Sequence, residues 1–243
     1  MAKVDTSWKV LEHGPLEQLS ENLWRVQGAL PGMSLKRTMT IVRRGDGSLL
    51  LHSAIALDDV HRQKLEGLGP IKVIVVPNRG HRLDAPAYKA RYPELHVICP
   101  RGGRDKIAEV VAVDGTYDDY ADDGVIRFET LAGVDAGEGA MIVSSADGVS
   151  VVLNDAVMNM DTKKDVLGYL FTTLLGSAPG PRVSRLARLL YVKDQGALRA
   201  HLERLADIPR LVRVIVSHEK VAFGADAPAA LRQAASYLTA SRV

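Results

Sequence analysis

Residues 71–84 read IKVIVVPNRGHRLD, and the arrangement of the whole chain follows from this stretch. Residues 71–76 are a short β-branched apolar run, the pattern of a strand buried on both faces. Pro77 ends it, because proline has no N–H to give to a ladder. The polar loop beyond carries Asn78, Arg79, His81, Arg82 and Asp84 at the C-terminal end of a central strand, where layered α/β proteins usually place their chemistry. Working outward, the pattern recurs. Residues 49–51 run into His52, 151–153 into Asn154 and Asp155, and 212–216 into Ser217 and His218. Four apolar strands, distant in sequence, each deliver a His or Asp at the exit.

The 243 residues are enough for one large core or two small ones. A content of 47% hydrophobic and 25% charged residues is that of a soluble globular chain. With 31 basic against 29 acidic residues, the net charge of +2 points away from nucleic acid or a membrane as partner. The single cysteine, Cys99, excludes an internal disulfide framework and fits a reducing compartment. The start, MAKVDTSWKVLEHG, lacks the apolar stretch of a secretory signal. The apolar run 166–175 is about half the roughly 20 residues a transmembrane helix needs. The expectation is a cytoplasmic protein that binds a small molecule, with self-association left open.

In chain order, strands come first, at 23–26 and 39–42. Gly45-Asp46-Gly47 reads as the turn of a hairpin that returns through residues 48–52. Residues 57–68 switch to helical spacing and stop at Gly69-Pro70. After the strand at 71–76 come a helix at 85–92 with Pro86 in its first turn, a strand at 95–99 and a helix at 102–109. Strands at 125–131, 140–144 and 150–153 follow, then a mostly helical stretch, 164–206, interrupted at 176–181. A buried strand, 212–216, and a helix, 228–240, close the chain. No repeat and no long linker divides it. This order predicts one domain, 1–243, with two sheets sandwiched between helices.

These residues resemble the metallo-β-lactamase fold, which implies an αββα sandwich with a one- or two-metal site at the edge of the two sheets. The family motif T-H-x-H-x-D-H follows a buried strand. With Asn78 at the Thr position, His81 matches the second histidine and Asp84 stands at the last. Arg79 then replaces the first histidine and Leu83 the aspartate. Leu131-Ala132-Gly133-Val134 resembles the Gly-His turn, with Val134 in place of the histidine. Leu153-Asn154-Asp155 resembles the strand end that supplies the bridging carboxylate, and Val216-Ser217-His218 the last strand with its histidine. The resemblance runs from about Glu21 to His218.

What it implies about function is a hydrolase-like protein with a reduced site. Zinc or iron needs imidazoles and carboxylates converging at about 2.0–2.2 Å. Two metals need about six side-chain positions, and this chain offers four. The implied set is one zinc, iron or manganese ion held by His81, Asp155 and His218, with Asp84 as fourth ligand or catalytic base. His52, Asn78 and Arg79 would line the substrate pocket. Beside this stands a non-catalytic reading, in which the fold binds a ligand or partner without metal. His81 would then bond a loop carbonyl, Asp155 would cap a following helix, and His218 would be held by Asp155 alone. Arg79 and Arg82 fit an anionic substrate group or the acidic loop 118–123. His13, His61, His96 and His201 read as surface or packing residues. The run 166–175 reads as core, as a lid over the pocket or as an interface.

Overall fold

The computed structural model describes residues 4–239. Strands β1 (Glu17–Ser20), β2 (Leu23–Leu30), β3 (Met33–Arg43), β4 (Leu49–His52), β5 (Ile71–Val75), β6 (His96–Cys99) and β7 (Gly115–Thr116) form one sheet in sequence order. Strands β8 (Ile126–Thr130), β9 (Gly139–Ser145), β10 (Gly148–Leu153), β11 (Leu211–Val216) and β12 (Val221–Phe223) form the second, in the order β12-β11-β10-β9-β8. Helices α1 (Asp59–Leu68), α2 (Ala85–Arg91) and α3 (Arg104–Ala108) cover the first sheet. α4 (Val166–Tyr169), α5 (Arg185–Leu190), α6 (Gln195–Ala206) and α7 (Asp226–Ser236) come late in the chain, and α5 to α7 pack against the second sheet.

The layering follows from side-chain alternation. Successive residues of a strand point to opposite faces. Leu50, Val73, Val75, Val152 and Ile215 point between the sheets and pack with Leu23, Val42, Ile98, Met141 and Val143. Their neighbours Leu49, Leu51, Ile74 and Val76 point outward onto the first helix layer. Val151, Leu153, Val214 and Val216 do the same onto the second. Strands apolar on both faces therefore require both layers, and the result is the expected αββα sandwich.

Parallel register brings the strand exits to one edge. β4 pairs with β5 so that His52 lies opposite Val75, and β10 pairs with β11 so that Leu153 lies opposite Val216. Asp155 and His218 each stand two residues beyond that last pair, so they leave their strands side by side. The two sheets are tied at the same edge, where the Thr38 N–H donates to the Ser217 carbonyl at 2.8 Å.

Some expected elements differ. β3 begins at Met33 rather than Met39, because Arg37, Thr38 and Thr40 are buried polar residues that mask the apolar pattern. β1, β7 and β12 were not foreseen; at 2–4 residues they are too short to show a period. The stretch 164–206 is mostly helical, as expected, and is interrupted across 176–181; it holds α4, a π-helical segment at Leu170–Leu174, α5 and the 12-residue α6. The last helix ends at Ser236, and Ala240 lies outside the described residues. His13 and His61 flank Asp58, the N-cap of α1. The Asp58 N–H donates to His13 Nε2 at 3.0 Å, and the carboxylate caps the His61 N–H at 2.8 Å. These histidines brace a helix start, in line with a packing role.

Leu50 is fully buried between the sheets. Leu50→Ala is expected to cost about 2–5 kcal/mol, read as a lower urea midpoint at an unchanged slope.

Candidate functional site

The exits of β5 and β11 converge on Asp155, at the exit of β10. His81 Nε2 lies 3.1 Å and His218 Nε2 3.3 Å from the same atom, Asp155 Oδ1. The two rings meet edge to face, with centroids 5.3 Å apart. One donor atom from each of the three residues lies within 4.8 Å of the others. The second carboxylate oxygen, Oδ2, accepts from Asn78 Nδ2 at 2.7 Å. Each imidazole is held from behind as well. His218 Nδ1 is 2.9 Å from the Lys36 carbonyl, and His81 Nδ1 is 3.1 Å from Ser53 Oγ.

The Lys36 contact fixes a proton. A carbonyl can only accept, so His218 Nδ1 carries the hydrogen. In the neutral ring Nε2 is then a lone pair, and it faces a carboxylate oxygen. Two acceptors 3.3 Å apart need a proton or a cation between them. As a proton site, His218 has its pKa raised. Burial pulls it down, but the hydrogen bond and charge of Asp155 and the Lys36 carbonyl outweigh that. Burial likewise pushes the Asp155 carboxyl up, while the charge of His81 and the hydrogen bonds from both histidines hold it well below the usual range. As a cation site, two imidazole nitrogens and a carboxylate oxygen, each oriented from behind, are a donor set suited to one transition metal. The residues fit such an ion.

They do not fit two. Arg79, at the first histidine position of the motif, lies over the Tyr191 ring, 5.3 Å from guanidinium carbon to centroid. Leu83 is half-exposed on the pocket wall, and Val134 packs against the second-sheet core.

Asp84 does not join the cluster, contrary to the expectation of a fourth ligand or base. Its carboxylate bonds to buried Arg37 at 2.6 Å and accepts the Ala56 N–H at 3.2 Å. Asn78 and Arg79 are corrected as well. Asn78 is buried beneath the loop, where its Oδ1 accepts from the N–H groups of Gly80 (2.7 Å) and His81 (3.0 Å). That bonding sets the loop turn that aims His81. Arg79 faces a separate crevice beside Tyr191. Arg82 pairs with Glu109 at 3.3 Å, not with the acidic loop or the pocket. The next helix, α4, begins only at Val166 and is capped by Asp165, so Asp155 is not a helix cap.

His52 is sealed, 1% exposed, with Nε2 unpartnered. Burial, helped by the charge of His81, pushes its pKa down to about 3. It is not part of the pocket lining.

The pocket above the cluster has a volume of about 210 Å³. Leu30, Met33, Leu35, Leu83 and Phe171 give it apolar walls, with Arg37, Ser53, His81, Asp155 and His218 as the polar part. Phe171 belongs to the run expected as core, lid or interface. It faces the His218 ring at 6.5 Å, while Val166, Tyr169 and Leu174 of the same run are exposed.

Sequence reading missed Ser53, Arg37 and Glu138. Asn78 Nδ2 also donates to Glu138 Oε1, at 2.6 Å. Burial first, and then the charge of Asp155, push the Glu138 carboxyl well above its usual range. The two carboxyls share one amide, and their shifts run in opposite directions, Asp155 down and Glu138 up. Glu138 sits in a Gly-Glu-Gly turn typical of an exposed loop, and nothing in that context signals burial.

No family model matches the chain, and no curated protein matches it in sequence. Solved structures do match. The DIM-1 metallo-β-lactamase exposed to ceftazidime aligns with a TM-score of 0.63 at 12% identity, over 94% of this chain and 99% of that one. VMB-1 at pH 5.5 aligns at 0.61 and 13%, over 94% and 97%. The metallo-β-lactamase from Pontibacter korlensis aligns at 0.56 and 14%, over 91% and 96%. The chain has the metallo-β-lactamase fold. Among the described residues, no helix is long and apolar enough to cross a membrane.

Two outcomes follow from this wiring. Asp84→Ala strands the buried Arg37 charge and is expected to cost about 3–5 kcal/mol. The double change Arg37→Met with Asp84→Leu, followed by chemical denaturation, should recover most of that loss. His52 is neutral in the folded state and binds a proton near pH 6.5 when unfolded. Between about pH 6.5 and 3 the unfolded state therefore holds the extra proton, and stability falls as pH falls, by about 1.4 kcal/mol per unit. In His52→Leu, denaturation curves across that window should show a slope smaller by one proton.

Proposed function

We propose that this chain is a hydrolase-like protein that holds one transition-metal ion, zinc, iron or manganese, between His81, Asp155 and His218, and acts on a small molecule in the pocket above them. The observation that carries this reading is the pair of Nε2 atoms aimed at one carboxylate oxygen, 3.1 and 3.3 Å away, with each ring held at its far nitrogen. A bound ion would supply Lewis acidity toward a carbonyl or phosphoryl group and make water more acidic. The chain's own residues do the rest. The Lys36 carbonyl leaves His218 Nε2 with its lone pair toward the centre. Asn78 keeps Asp155 Oδ2 occupied, so that Oδ1 faces the histidines. The apolar walls exclude water from the reacting group. Asp84, locked to Arg37, contributes by holding the loop in place.

The second reading is a pocket that binds a ligand without metal. The five apolar side chains of the wall support it. Under this reading the charge of Asp155 is balanced by a protonated His218 alone.

Elemental analysis of protein purified without chelator, after growth with added zinc, iron and manganese, separates the two. The metal reading expects close to one equivalent, lost in Asp155→Ala and His218→Ala together with a lower melting temperature, since an ion bound only by the native state stabilises it. No metal at any supply would leave the ligand-binding reading, in which both variants still melt lower because the ion pair of Asp155 with His218 is broken.

A further inference from the structure

Ser53 is the first residue beyond β4 and has a backbone φ of +58°. A non-glycine residue rarely adopts that conformation, and such positions concentrate at functional sites. Ser53 is 4% exposed, and what it shows lines the pocket. Its Oγ is 3.1 Å from His81 Nδ1, and His81 Nε2 is 3.1 Å from Asp155 Oδ1. The three side chains form one continuous line that ends on the Asp155 carboxylate, which also lines the pocket. The next residue, Ala54, also lines the pocket, and its N–H donates to no protein acceptor among the described residues. A strained serine at a strand exit, followed by a pocket-lining residue whose N–H has no protein acceptor among the described residues, matches the layout by which strand-end nucleophiles obtain an oxyanion donor.

The hydrogens are consistent with this line. His81 in its neutral Nε2–H form donates to Asp155 and accepts the Ser53 hydroxyl at Nδ1. The two ring nitrogens are exchanged relative to the usual serine–histidine–aspartate arrangement. Either nitrogen of a neutral imidazole can be the acceptor, so the exchange leaves the chemistry intact.

We infer that Ser53, His81 and Asp155 form a nucleophilic triad that gives this pocket a metal-independent acyl-transfer activity toward small esters with an apolar acyl group. Ser53 Oγ bonds to the ester carbonyl carbon as its proton passes to His81 Nδ1, and the developing oxyanion meets the Ala54 N–H. Collapse breaks the bond to the leaving alkoxide, which takes the proton from His81. Water, losing a proton to the same nitrogen, then attacks the acyl-serine. The acid departs, and the proton returns to Ser53. The net reaction is ester plus water to acid plus alcohol. The acyl group rests among Leu30, Met33, Leu35 and Phe171. This inference goes beyond the metal reading and does not rest on it, since a His81 that ligates through Nε2 cannot keep the proton there. Metal and triad are alternative states of one imidazole.

The test is a fluorophosphonate probe on the full chain, in chelator. Ser53 Oγ bonds to phosphorus, the P–F bond breaks, fluoride leaves, and the proton goes to His81. Peptide mass spectrometry should find the adduct on Ser53. Labelling should vanish in Ser53→Gly, which the positive φ tolerates. It should slow at least about 100-fold in His81→Gln, the scale of a lost general base, with folding checked by thermal melt. p-Nitrophenyl butyrate hydrolysis in chelator should fall in parallel. No adduct on Ser53 in the wild type, or ester hydrolysis unchanged in Ser53→Gly, overturns the triad. Added zinc should suppress labelling if His81 also binds metal. Labelling unaffected by zinc would keep the triad and remove the metal reading, so the two fail separately.

Discussion

The Asp155 carboxylate is the group around which this edge of the molecule is built. An ion withdrawn from water is costly unless every lone pair finds a partner. Here Oδ1 faces two histidines and Oδ2 takes the Asn78 amide. Each partner is fixed in turn: Asn78 by the turn it closes with Gly80 and His81, His218 by the Lys36 carbonyl, and His81 by Ser53. Because β3, β4, β5, β10 and β11 all supply a member or its support, the network joins both sheets. The desolvation cost of one carboxylate thus locks four strand ends and the Lys36 backbone of β3 into a single geometry.

That geometry has two self-consistent chemical states. With a proton on His218, the site is a closed relay from Ser53 through His81 to Asp155. With a cation between the histidines and Asp155, the proton of His81 must sit on Nδ1 and point at Ser53. The hydroxyl of Ser53, which can donate or accept, is what permits both. Glu138, whose carboxyl burial and the charge of Asp155 push up, stands in the same hydrogen-bond set as Asp155, whose carboxyl the histidines hold down.

The second buried ion pair, Arg37 with Asp84, shows how a motif position can be kept while its chemistry changes. Asp84 stands where the family pattern has its last histidine, yet its carboxylate is held by a guanidinium from β3 and the Ala56 N–H. Arg79 and Leu83 likewise occupy motif positions but face an aromatic ring and a pocket wall. The loop keeps its path through backbone turns rather than through the motif side chains.

By itself the sequence determined the four apolar strands and what leaves them. Runs such as residues 71–76 and 151–153 are apolar on both faces, and that alone requires two helix layers and buried parallel strands. The exits carry His81, Asp155 and His218 because strand ends are where polar residues can follow an apolar run. Register decided the rest. Only the pairing of Leu153 with Val216 sets Asp155 beside His218, and only the crossing of β3 brings Arg37 to Asp84 and the Lys36 carbonyl to His218. Ser53 and Glu138 were silent in one dimension, because a serine after a strand and a glutamate between glycines look like ordinary loop. Their roles arise from burial and from partners 28 and 60 residues away, at His81 and Asn78, and such distances are closed by tertiary packing alone.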